Sequence, residues 1–173
     1  SITQTKGDLM TTNIDSTILF YDTETTGFRS KDKHYSDPDQ AGVVQLGWML
    51  TNSTHIFSTG CFIINILDKE INFKAEETHG ISKELSNRIG HEEVNVSELF
   101  MHDQSKANLM VCHNYSFDIE FLKDMIARSS CVEDAIDFGE SEHFCTMRND
   151  DIINYCALPH ARWKNKFKWP KLT

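Results

Sequence analysis

Ile18-Leu19-Phe20-Tyr21-Asp22-Thr23-Glu24-Thr25-Thr26-Gly27 is the stretch around which the rest of the chain is read. Four apolar residues, three of them β-branched or aromatic, run into two carboxylates and a glycine, the pattern of a buried strand that ends at a site. Residues i and i+2 of a strand point the same way, so Asp22 and Glu24 share one face. Two neighbouring acids raise each other's pKa unless a cation neutralises them. A hard divalent ion with oxygen ligands, Mg²⁺ or Mn²⁺, suits that pair. A strand end whose acids are merely solvated in a turn is the competing reading, and an isolated Asp-x-Glu does not separate the two.

Working outward, residues 1–15 form a polar lead-in and the first strand covers Ser16 to Asp22. Residues 27–40, rich in charge, Ser, Asp and Pro, read as a loop and a candidate rim of the site. Ala41–Thr51 and His55–Asn65 read as strands, and Asn52-Ser53-Thr54 suits a hairpin between them. The three strands make an antiparallel meander. The period then changes, with a helix start at Ser82-Lys83-Glu84-Leu85 and a helical segment over Val94–Met101. Asn108–His113 is a short buried strand, and Asn114 opens a helix. There Phe117, Phe121 and Met125 lie beside Ile119, Leu122 and Ile126 on one broad apolar face. Asp118 falls in its first turn, where the helix dipole favours an ionised carboxylate ready for metal. An acid that only satisfies that dipole is the alternative. A fifth strand is expected over Glu142–Thr146, a helix over Met147–Cys156, a break at Leu158-Pro159 and a new helix start at Trp169–Thr173.

A chain of 173 residues with 39% hydrophobic and 25% charged residues fits one globular domain. No apolar run has the length of a membrane span. Five cysteines without a Cys-x-x-Cys pair point to reduced thiols and a cytoplasmic setting. The net charge of −9 argues against a broad basic face for nucleic acid. His160–Thr173 runs the other way, with five bases, no acids, and Trp163, Phe167 and Trp169 interleaved, a mixture suited to phosphates and base stacking. Aromatics packed on the core with lysines left in water would give the same pattern.

Asp-x-Glu at a strand end, then Thr78-His79-Gly80-Ile81, then Val111-Cys112-His113-Asn114-Tyr115-Ser116-Phe117-Asp118 follow one another in an order that resembles the DEDD 3′→5′ exonucleases. The likeness is greatest to the proofreading epsilon subunits of bacterial DNA polymerase III. Cys145-Thr146-Met147 and Trp169-Pro170-Lys171-Leu172 resemble two later family elements, so the resemblance covers residues 16–173. It implies a ribonuclease H-like α/β fold: a mixed five-stranded sheet, three antiparallel strands then two more, flanked by helices. It implies that Asp22, Glu24 and Asp118 hold two divalent ions, Mg²⁺ or Mn²⁺, about 3.5–4 Å apart, for hydrolysis of a phosphodiester. The substrate implied is the 3′ end of single-stranded DNA or RNA, with Thr25, Thr26, Gly27, His79, Ile81 and Asn114 as the nucleotide-binding set. A polymerase or another replication or repair protein is the implied partner, with no membrane.

The family's third motif, a last Asp preceded by a His in the "h" branch or a Tyr in the "y" branch, has no match after Asp118. The expectation is therefore an exonuclease domain that is truncated or incompletely observed, and a chain that binds metal weakly and cleaves poorly. The alternative function is a catalytically incomplete module of the same fold that binds nucleic acid or a partner.

Overall fold

The computed structural model describes residues 16–158, Phe167 and Trp169. The expected lead-in over 1–15 and the helix start at Trp169–Thr173 lie outside these, Trp169 apart. Five strands form one sheet in the order β3-β2-β1-β4-β5. They are β1 (Ile18–Thr25), β2 (Val43–Thr51), β3 (Ile56–Ile63), β4 (Leu109–Cys112) and β5 (His143–Cys145). β1, β2 and β3 pair antiparallel, and β1–β4 and β4–β5 pair parallel. The sheet is thus mixed, as expected, with the meander first and two crossover strands after it. Asn52 makes the β2–β3 hairpin: its Oδ1 accepts from the N–H groups of Thr54 (3.0 Å) and His55 (2.8 Å), the local bond that suits Asn to turns.

The helices are α1 (Phe73–His79), α2 (Lys83–Ile89), α3 (Glu93–Gln104), α4 (Tyr115–Ser129), α5 (Val132–Glu140) and α6 (Asp150–Cys156). The apolar face read for α4 is real: Ile119, Phe121, Leu122, Met125 and Ile126 are buried and pack with Leu19, Tyr21, Leu46, Trp48 and Leu50 of the sheet. α5 was not anticipated. Four of its nine residues are acids, and of the rest only Ala135 and Phe138 are buried. α6 starts at Asp150 rather than Met147 because the Asn149 side chain caps it, accepting from Ile152 N–H. α2 begins as expected, with Ser82 accepting from Leu85 N–H at 3.1 Å.

β1 departs from expectation in two ways. It does not end at Asp22 but continues through both acids to Thr25. It is also buried on one side only: Leu19, Tyr21, Thr23 and Thr25 face the core, while Phe20 and Asp22 are exposed and Glu24 is half-buried. The alternation extends the strand through polar residues, a period-two signal that a search for an apolar run misses.

Candidate active site

β4 pairs with β1 only over Ile18–Phe20. Beyond Phe20 the two parallel strands separate at their carboxyl ends, the kind of crevice where open α/β sheets place their sites. Asp22 and Glu24 lie on β1 at that crevice, paired across the sheet with Gly47 and Gln45 on the same open face. Asp118, in the first turn of α4, enters from the other side. Its Oδ1 accepts from Thr23 N–H at 3.2 Å and from the Thr23 hydroxyl at 2.6 Å. Thr23, the residue between the two acids, therefore ties the third acid to the pair.

All three carboxyls are held above the usual carboxylate range. For Asp22, exposed on the open face of the strand, the cause is partial loss of water around the carboxyl, against a smaller lowering by His113. For Glu24 it is again desolvation, followed by the charge of Asp22. Asp118, 3% exposed, is pushed up to about 6 by burial, with Asp22 adding to the rise and Thr23 opposing it. The expectation that the helix N-terminus sets Asp118's charge is thus corrected: burial outweighs the dipole. Asp118 still ionises near neutral pH.

Hard carboxylate oxygens, coupled by mutual repulsion, fit a divalent cation in kind. Both bonds from Thr23 fall on one oxygen of Asp118, Oδ1. Among the described residues, however, no three His, Cys, Asp or Glu side chains are gathered to metal-binding distance. A fourth acid does not join them from α6, whose Asp150 and Asp151 are exposed in its first turn. Cys112 is no nucleophile, since burial pushes its thiol up to about 12. His143 is half-buried with both ring nitrogens bonded within the fold, to the Phe138 carbonyl at 3.0 Å and to the Tyr21 hydroxyl at 3.2 Å.

Two clefts flank the acids. One, of about 350 Å³, is lined by Glu24, Thr25, Gly27, Phe28, Lys74, His79 and Phe117 among others. The other, of about 390 Å³, contains Asp22, Phe20, Met49, His113 and Thr146. Thr146 lies 2.9 Å from His113 Nδ1, which gives the Cys145-Thr146-Met147 element a structural task.

The expected nucleotide-binding residues divide. Thr25, Gly27 and His79 line the smaller cleft. Gly27 has a φ of 153°, a conformation that side chains rarely adopt. Thr26 is buried with its groups committed: N–H to Gly42 C=O (2.9 Å), C=O to Asn72 N–H (2.7 Å), and hydroxyl oxygen to Gly42 N–H (3.0 Å). Ile81 is buried against Val44 and Ile66 in a second apolar cluster, so it supports the region from within. Asn114 precedes α4 without a side-chain capping bond. Sequence reading missed Phe28, 89% exposed beside Gly27 and edge-on to Phe117 at 6.3 Å. A bulky aromatic in a polar loop beside a glycine was the available signal. Lys74, exposed on α1, was missed as well, since a lone lysine carries no pattern.

Among the described residues no helix is long and apolar enough to cross a membrane. No family model matches the chain, and no curated protein matches it. Solved structures do. The chain is similar to a product-bound exonuclease I (TM-score 0.64, 19% identity, 83% of this chain and 32% of that one). It is similar to E. coli exonuclease I in complex with a dA16 oligonucleotide (TM-score 0.63, 19% identity, 83% and 30%). An exonuclease I complex with the C-terminus of SSB gives TM-score 0.63 at 18% identity, covering 85% and 33%. The chain spans about a third of the length of these neighbours. At such identity the likeness concerns the fold, and it assigns the five-stranded sheet and its helices to the ribonuclease H-like exonuclease architecture.

Proposed function

We propose that this chain carries the active site of a metal-dependent 3′→5′ exonuclease acting on single-stranded nucleic acid. The observation that carries this reading is Thr23 joining Asp118 to Asp22 and Glu24 at the crevice where β1 and β4 part. Asp22, Glu24 and Asp118 would hold Mg²⁺ or Mn²⁺, two ions in the reading the resemblance implies. Such ions, when bound, supply an activated water near neutral pH and offset charge on the scissile phosphate.

The chain's own groups do the rest. Thr23 holds Asp118 by its Oδ1, through both its N–H and its hydroxyl. Phe28, exposed at the cleft mouth, offers a ring for the terminal base to stack on, and Lys74 on the same cleft offers a charge for a phosphate. Among the described residues few cations line the cleft, which suits a few terminal nucleotides rather than a long duplex, in keeping with a net charge of −9. Single-stranded DNA is the substrate we favour, supported by the neighbour bound to dA16, and the SSB complex of another supports a partner from replication or repair. A polymerase partner belongs to the same reading through the resemblance alone.

One observation favours a second reading, a module that binds ends without turnover: the three acids are not gathered to metal-binding distance. Mn²⁺ with an end-labelled single-stranded oligonucleotide separates the two. An exonuclease releases mononucleotides, and Asp22→Ala loses that turnover while keeping end-binding. A binding module has no turnover to lose.

A further inference from the structure

The edge of β1 beyond Phe20 poses a hydrogen-bonding problem, because its backbone groups there have no neighbouring strand among the described residues. Successive residues of a strand send their N–H and C=O to alternate sides. Thr26 N–H goes to Gly42, on the β2 side, so Thr25 and Thr23 turn toward the open side. Thr23 N–H is met by Asp118. The Thr25 carbonyl is met by His79, whose Nε2 lies 3.3 Å away. The other ring nitrogen, Nδ1, accepts from Ile81 N–H at 3.0 Å. That bond fixes the tautomer: Nδ1 is the acceptor, and Nε2 carries the hydrogen that it donates to Thr25. Gly80, with a φ of 73° at the C-cap of α1, makes the tight return that brings Ile81 N–H back onto the ring.

We infer that His79 is a positioning residue rather than a nucleic-acid contact. It locks the last residue of β1 to the turn after α1. Through Thr25 it sets the backbone at the register shift between Glu24 and Thr25, and hence the direction of the Glu24 carboxylate. Both ring nitrogens are used in doing so, which leaves no ring hydrogen-bonding group for substrate. The buried Ile81 anchors the far side of the clamp in the Val44–Ile66 cluster. The inference rests on the metal-site reading for its effect on Glu24, but the clamp itself can be measured without it.

The test uses the full chain with His79→Phe, which keeps the ring volume and loses both bonds, and His79→Gln, which has a donor and an acceptor. Mn²⁺ affinity is read by electron paramagnetic resonance, oligonucleotide affinity in EDTA by anisotropy, and amide exchange at Ile81 and residues 25–27 by mass spectrometry. His79→Phe is expected to weaken Mn²⁺ binding by about 10-fold, the scale of losing an outer partner of a ligand, and to change metal-free oligonucleotide binding by less than about twofold. Exchange at Ile81 rises in His79→Phe, and His79→Gln recovers most of the Mn²⁺ affinity. The inference is overturned if His79→Phe spares Mn²⁺ affinity and weakens oligonucleotide binding in EDTA, or if exchange at Ile81 does not change. If wild type binds no Mn²⁺ at all, the exonuclease reading falls, and exchange at Ile81 still decides the clamp. Should His79→Phe fail to fold, His79→Asn, which can serve Ile81 but is too short for Thr25, carries the same comparison.

Discussion

α4 holds two buried carboxylates with opposite surroundings. Asp124, 6% exposed, is closed off by Arg29, whose Nε and Nη2 donate to it at 2.6 and 3.1 Å. Asp118, 3% exposed, has a hydroxyl and an amide from Thr23, and the charge of another acid, Asp22, acts on it. One helix thus carries an acid paired to a guanidinium and an acid that, among the described residues, joins no salt bridge. Arg29 belongs to the loop over residues 27–40, so the Asp124 pair pins that loop to α4. Arg128 pins it again, donating to the Tyr35 carbonyl at 2.9 Å while bound to both oxygens of Glu93. Asp124 therefore serves architecture, whereas the proposed function gives Asp118 to chemistry. The expected rim of the site is a strapped segment of the domain.

The comparison can be broken at either end. The largest expected effect is on turnover: Asp118→Asn or Asp22→Ala lowers Mn²⁺-dependent hydrolysis by about 10²–10³-fold, the scale of removing one preorganised electrostatic contact, as measured by mononucleotide release. Asp124→Asn should do so only as far as it loosens the loop. Removing the cation instead, Arg29→Ala leaves Asp124 buried and unpaired and costs about 2–3 kcal/mol in urea unfolding, whereas Asp118→Asn should not destabilise the metal-free chain.

A third effect concerns pH. The folded-state value of Asp118, about 6, lies above the about 4 of an unfolded aspartate. Between these values the folded chain keeps a proton that the unfolded chain has released. The stability this gives is complete below about pH 4 and is lost as pH rises through 6. Asp118→Asn should gain on wild type by on the order of 2 kcal/mol between about pH 4 and pH 7, measured by urea unfolding without metal. Saturating Mn²⁺ should reverse that order above pH 6. The smallest effect is expected at Phe28, where Phe28→Ala weakens binding of a single-stranded 3′ end by about 1 kcal/mol or somewhat more, with the melting temperature unchanged because the ring is exposed.

What could be read from the sequence follows from how local each signal is. The meander, β4, β5 and the apolar face of α4 are written in period-two and period-3.6 patterns within single segments. Asp22, Glu24 and Asp118 were reachable through their segments and through the family order. What joins them was not: Thr23 is an ordinary strand residue until Asp118 arrives from a distant helix to bond it. His79 appears in the sequence as part of a motif, but its partners, Thr25 and Ile81, give it a different task from the substrate contact expected of it. Ile81 and Thr26 read as cleft residues because they adjoin the motif; Ile81 is buried because the turn after α1 folds inward, and Thr26, though it touches a cleft, is buried by its bonds to Gly42 and Asn72. α5 was legible but overlooked, since Val132, Ala135 and Ile136 recur at helical spacing among acids, although only Ala135 and Phe138 are buried.

The most direct test of the claim that Asp22, Glu24 and Asp118 form a hydrolytic metal site is a time course on a 5′-labelled single-stranded oligonucleotide with Mn²⁺. The expected result is stepwise shortening from the 3′ end, slow, absent in EDTA and absent in Asp22→Ala. Internal cuts, shortening that persists in EDTA, or no product above the Asp22→Ala background would contradict it.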